Sequence, residues 1–213
     1  MSTLLRLKIS LPLLLALSLS AWAQTSSQQP QQGVPGQTLA TATFAGGCFW
    51  CLEPPYDKLT GVISTRSGFT GGELENPSYE QVVSGGTGHL EVVQITYDPQ
   101  LISYEKLLDV FWRNIDPFQA NGQFCDIAET YRSAIFVHDA AQRDQALQSL
   151  AAVQSRFPNQ AIDTRILDFD VFYEAEEYHQ DYYQKNPRRY QFYRWRCGRD
   201  QRLEEIWGSE AGG

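Results

Sequence analysis

The stretch Phe44 to Cys51, F-A-G-G-C-F-W-C, constrains the fold more than any other part of the chain. Residues Ala40 to Phe44 alternate like a half-buried strand, Gly46 and Gly47 break the alternation, and Phe49 to Leu59 carry apolar residues at helical spacing. A strand that turns over two glycines into a helix places Cys48 at the helix N-terminus. Unpaired backbone N–H groups and the positive end of the helix dipole there favour a thiolate. The expectation is a Cys48 pKa lowered from about 8.5 to between roughly 3.5 and 7.5, hence a nucleophile at neutral pH. Cys51 follows one helical turn later.

Further along, strands are expected over 61–68, 90–97, 133–137 and 164–169, the last of them the final strand. Helices are expected over 77–83, from Ser103 to Arg113, and after Asp139, whose spacing to Gln142 resembles a capping box. In that third helix Leu147, Leu150, Val153 and Phe157 mark the buried face, and a short terminal helix ends near Trp207. Residues 114–130 lack periodicity and read as a surface loop of the length that usually carries function. The aromatic-basic run Arg188 to Arg196 reads as solvated surface, with contact to a reductant protein as the second reading. Strands alternating with helices, some of them hairpin-like, give an α/β (α+β) domain.

The chain has 213 residues, 42% of them hydrophobic, which suits one domain. Its net charge of −8 and lack of a basic stripe argue against a nucleic-acid partner. Arg6 and Lys8, the apolar run Leu11 to Leu17 and the small-x-small site Ala21-Trp22-Ala23 read as a secretory signal peptide over 1–23. That run is too short for stable membrane insertion. Residues 24–38, rich in Gln, Ser, Pro and Gly, read as a flexible linker, leaving 39–213 as a single catalytic domain with a C-terminal tail. The expected location is periplasmic or secreted, and the expected state a monomer. The four cysteines allow two structural disulfides, but the close pair Cys48 and Cys51 favours redox chemistry.

The motif G-G-C-F-W-C resembles the A-type peptide-methionine (S)-S-oxide reductases. The resemblance runs on through Ser67 to Gly72, Asn76 to Tyr79, Gly85 to Glu91, Gly122 to Asp126, Tyr131 to Ile135 and Ala175 to Pro187. It implies a two-layer α/β sandwich around a central mixed sheet flanked by helices. It also implies reduction of methionine-S-sulfoxide, free or in oxidised proteins, to methionine as a protein repair reaction. Cys48 would attack the sulfoxide sulfur, and Glu91, its pKa raised by partial burial, would protonate the oxygen. Tyr79 and Tyr131 would hydrogen-bond that oxygen, Phe49 and Trp50 would hold the methyl group, and Asp126 would support the polar side. The sulfenic acid left on Cys48 then needs a second thiol. Cys51, Cys197 and Cys125 are all candidates; the expected order is Cys51 first, with Cys197 in a mobile tail relaying the disulfide outward to a thioredoxin-like dithiol. Ile127-Ala128-Glu129 departs from the family pattern of a basic residue and glycine, which bears on peptide preference.

Two other readings fit parts of the pattern. Cys48-Phe49-Trp50-Cys51 is formally the C-x-x-C of a thiol-disulfide oxidoreductase, which assigns no task to Glu91 or the tyrosines. A metal-binding module would need Cys48, Cys51 and two ligands from Cys125, Cys197, His89, His138 or His179, without a second tight spacing. No nucleotide or metal cofactor is expected.

Overall fold

A computed structural model describes residues 38–212. The signal segment 1–23 and most of the linker lie outside the described residues. The opening strand is β1 (Ala40–Gly46), followed by α1 (Phe49–Asp57), β2 (Val62–Thr70), α2 (Tyr79–Val83), β3 (Leu90–Tyr97) and α3 (Tyr104–Arg113). The second half comprises β4 (Ser133–Val137), α4 (Ala140–Arg156), β5 (Arg165–Asp168), β6 (Tyr173–Glu174), α5 (Tyr182–Lys185), α6 (Pro187–Arg196) and α7 (Arg199–Trp207). The strands form one sheet in the order β5-β4-β1-β3-β2-β6. Among the described strands only β4 and β5 pair in parallel, so the sheet is mixed and the expected α/β sandwich is the fold observed.

Strand alternation decides what each face touches. Val93, Ile95 and Tyr97 of β3 and Ile135 and Val137 of β4 join Phe44, Leu52, Tyr56, Leu107 and Phe111 in the principal core. Leu90, Val92, Ala134 and Phe136 point the other way, into a smaller cluster with Leu167, Phe169 and Phe172. Glu91 shares its parity with Val93 and Ile95, so the pleat carries it to the helical face. Ser103 and Ser78 cap α3 and α2 through side-chain oxygens, and Gln81 completes the capping box at α2.

Several expectations are corrected. In α4 the buried positions are Gln142, Ala146 and Val153, while Leu147 is exposed, because it sits 100° round the helix from Ala146. Residues 114–130 do not form a surface loop throughout: Asn114, Asp116 and Gln123 are buried, and Gln123 pairs its amide with the Asp116 backbone at 2.9 and 2.7 Å. A short strand, β6, follows the strand expected to be last. The C-terminal stretch is helical, with Cys197 capping α6 and Gly198 linking it to α7, so there is no irregular tail around Cys197. No described helix is long and apolar enough to cross a membrane.

Candidate active site

Between β1 and α1 the chain turns at Gly47, with φ of +80°, and a Cβ there would lie 2.5 Å from Gln123 Cβ. Glycine is therefore required on both conformational and steric grounds. Cys48 is the N-cap of α1, but its side chain makes no capping bond. The Phe49 N–H instead donates to Glu91 Oε2 at 3.0 Å. The carboxyl of Glu91, the second residue of β3, thus takes up one of the helix's orphan donors at the residue after the cysteine.

Cys48, Cys51 and Glu91 are all buried, and the two thiols are free and hydrogen-bonded to each other. Burial, then the Cys51 partner and the Glu91 charge, push the Cys48 thiol well up from its ordinary value. The sequence-based expectation of a lowered Cys48 pKa is therefore overturned. A helix terminus supplies partial charges, whereas the apolar surroundings withdraw nearly all hydration from a full one. Cys51 is held below the ordinary thiol range by its Cys48 hydrogen bond and by Arg199 and Arg194. Burial pushes Glu91 up to about 8, with the Phe49 N–H opposing. At neutral pH it therefore keeps its proton, as expected from the sequence.

The aromatic residues stack beside this centre. Phe49 lies 6.5 Å from Trp50 and 6.4 Å from Tyr79, ring centre to ring centre. One face of Trp50 is covered by Tyr182 at 3.8 Å, and Tyr193 meets it edge-on at 5.9 Å. The Trp50 indole donates to His179 Nδ1 at 3.0 Å. Burial lowers the His179 pKa, so the ring is neutral and its proton sits on Nε2. Tyr79 hydrogen-bonds Tyr131, and both phenols are pushed up by burial and then by the Glu91 charge, which places them as neutral donors beside the carboxyl. The Tyr79 N–H donates to Glu176 Oε1 at 3.0 Å.

Asp126 closes the opposite side, where it accepts a hydrogen bond from the Tyr193 hydroxyl; burial raises its pKa against that bond and the Arg199 charge. Arg199 itself is buried, donating to Gly46 O at 3.0 Å and Asn114 O at 2.8 Å, with its guanidinium 4.3 Å above the Phe124 ring. The chain before Cys48 is in this way clamped to the loop carrying Asp126. Cys125 and Cys197 form a disulfide at the end of α6. Cys197 is therefore neither free nor mobile, and the expected outward relay through it has no thiol available in this state.

Of the residues named from the sequence, Cys48, Cys51, Glu91, Phe49, Trp50, Tyr79, Tyr131 and Asp126 converge on one site. Cys197 stands apart, bonded to Cys125. Sequence reasoning missed His179 as the partner of Trp50, and missed Tyr193 and Arg199 altogether. Each is defined by a contact across more than 65 residues, and α6 offers no apolar periodicity to single out Tyr193.

Fold and site define an α/β thiol enzyme, in which a buried cysteine at a helix N-terminus faces a protonated carboxyl and two phenols. The family model for peptide methionine sulfoxide reductase matches residues 40–211, and the chain belongs to that family. It is 51% identical to the peptide methionine sulfoxide reductase MsrA of Bacillus licheniformis over 168 residues, 78% of this chain and 93% of that one. It is 44% identical over 198 residues to the MsrA/MsrB protein of Vibrio cholerae, covering 92% of this chain but only about half (52%) of that relative. Among solved structures, reduced Mxr1 of Saccharomyces cerevisiae superposes with a TM-score of 0.67 at 34% identity, over 73% of this chain and 90% of that one. The activity is that of a peptide-methionine (S)-S-oxide reductase.

Proposed function

We propose that Cys48 is the nucleophile, Glu91 the acid and Cys51 the resolving thiol. The observation that carries this reading is the buried Glu91 carboxyl held 3.0 Å from the Phe49 N–H, at the residue after Cys48, where burial raises its pKa. A sulfoxide oxygen leaves only when protonated, so the acid must hold its proton before the substrate arrives. With the methyl group against Phe49 and Trp50, the oxygen lies toward Glu91, Tyr79 and Tyr131. Cys48 sulfur bonds to the substrate sulfur as its own proton departs, and Glu91 protonates the oxygen. The oxygen then passes to Cys48, releasing methionine and leaving a sulfenic acid. Glu91 regains a proton, so the net change is transfer of one oxygen atom.

Cys51, with its lowered pKa, attacks the sulfenic sulfur, forming the Cys48–Cys51 disulfide and releasing water. An external dithiol then restores both thiols. The yeast relative Mxr1 has been solved in complex with Trx2, which supports a thioredoxin-like reductant. Asp126 holds Tyr193 against Trp50 and so shapes the polar edge of the pocket. The signal-like segment 1–23 supports a periplasmic or secreted location; N-terminal sequencing of the exported protein should begin at Gln24.

The test incubates the protein and Cys48→Ser with dithiothreitol and each epimer of N-acetyl-methionine sulfoxide. Reduction of the S epimer alone, lost in the variant, is expected. Reduction of insulin disulfides with neither epimer consumed would return the C-x-x-C oxidoreductase reading.

A further inference from the structure

The first turn of α6 is built against its own helix dipole. Arg188 and Arg189 occupy the first turn, with no acidic residue there to offset them, where the helix dipole disfavours cations. Both are exposed, as is Arg196, the last residue of α6, where the dipole favours a cation. Among the described residues none of these three arginines has a carboxylate partner, in a chain of net charge −8. Seven other arginines do form ion pairs, including Arg194 on the inner face of α6 with Asp200. Phe192 and Trp195 lie between the arginines, 59% and 74% exposed, with ring centres 6.0 Å apart. Residues 188, 192, 195 and 196 follow helical spacing, so cations and aromatics share one stripe. Such a stripe lies outside the core and, among the described residues, has no carboxylate to meet.

Its position relates it to the substrate. Arg189 and Arg196 are four residues before and three after Tyr193, hence its neighbours on the helix surface. Tyr193 touches both Trp50 and Asp126. The ten residues of α6 span about 15 Å, and three residues of extended chain about 10 Å. A polypeptide with its sulfoxide at Cys48 therefore reaches the stripe within a few residues of the methionine.

We propose that the outer face of α6 docks acidic polypeptide flanking the oxidised methionine, so that the enzyme selects methionine sulfoxide with Asp or Glu two to four positions away. This rests on the reductase reading above and names the substrate class of that site. The arginines meet the carboxylates, and Phe192 and Trp195 cover the apolar parts of the chain.

The experiment uses dithiothreitol as reductant, so that no protein reductant needs to dock. It compares kcat/KM for two peptides of equal length carrying methionine-S-sulfoxide, one flanked by Asp and Glu and one by Lys, with N-acetyl-methionine-S-sulfoxide as a control. The wild type should favour the acidic peptide roughly tenfold at low salt, as expected for a few exposed ion pairs, and the preference should shrink as salt is added. R188E/R189E/R196E should abolish or invert the preference while leaving the small control substrate unchanged. Equal rates on both peptides in the wild type, or an unchanged preference in the triple variant, would overturn the proposal. So would a variant that keeps the peptide preference but loses turnover with thioredoxin, or binding to vesicles containing anionic lipid, because the face would then serve those partners. If the control substrate is not reduced by the wild type, it is the reductase reading that fails.

Discussion

Replacing Glu91 by Gln tests acid catalysis and burial in one variant. Gln keeps the shape and an oxygen for the Phe49 N–H but has no acidic proton. The native carboxyl is shifted by burial from the ordinary 4.5 to about 8. At about 1.4 kcal/mol per factor of ten in proton affinity, that corresponds to about 5 kcal/mol. Because the folded-state pKa is raised, the contribution of Glu91 is complete below pH 4.5 and is lost as pH rises through about 8. Across that window the native state holds a proton that the unfolded chain has given up, so stability falls by up to about 1.4 kcal/mol per pH unit. Glu91→Gln carries no such slope. Urea unfolding of both proteins from pH 5 to pH 9 should show the variant gaining on the wild type by about 4 kcal/mol as pH rises to 8. In parallel, kcat of the wild type should fall above about pH 8 as Glu91 ionises. The variant should be slower by roughly 100- to 10,000-fold without that falling limb. Stability curves that run parallel with pH, or a variant retaining most of the wild-type kcat, would refute the placement of a protonated acid at this position.

Cys51→Ser should still release one methionine per chain in a single turnover without reductant but accumulate a dimedone-reactive Cys48, visible by mass spectrometry; rapid disulfide formation with Cys197 would instead restore the tail relay. Cys125→Ser/Cys197→Ser opens a bridge between residues 72 apart and should cost about 4 kcal/mol in urea unfolding, while still forming the Cys48–Cys51 disulfide in single turnover. His179→Asn can place an amide oxygen near Nδ1 and keep the Trp50 bond, whereas His179→Gln cannot. KM for N-acetyl-methionine-S-sulfoxide should stay near wild type in the first and rise roughly tenfold in the second, with kcat less affected, as expected from an unpaired, half-buried indole N–H.

The elements that carry Cys48, Cys51 and Glu91 were legible from local pattern; α6, which carries Tyr193, was not. The apolar run around Val93 and Ile95 gives β3 and Ser103 marks the start of α3, whereas a buried Glu91 is implied by the family resemblance and not by the local pattern. Gly47-Cys48-Phe49-Trp50-Cys51 is contiguous, so its glycine turn and helix start depend only on neighbours in the chain. Leu147 was misplaced because apolar spacing alone does not say which side of a helix meets the core.

The sequence by itself determined the family and the order of the strands and helices from β1 to β5, because short-range periodicity and contiguous motifs record those directly. Tertiary structure alone decided the protonation of Cys48. The helix terminus is a local effect, but burial of the thiol is not, and burial is the first cause that pushes it up. It also decided that Cys125 pairs with Cys197, that His179 orients Trp50, and that Arg199 holds the Gly46 turn. These contacts join segments 72 to 153 residues apart, and nothing in the local pattern at either end specifies the partner.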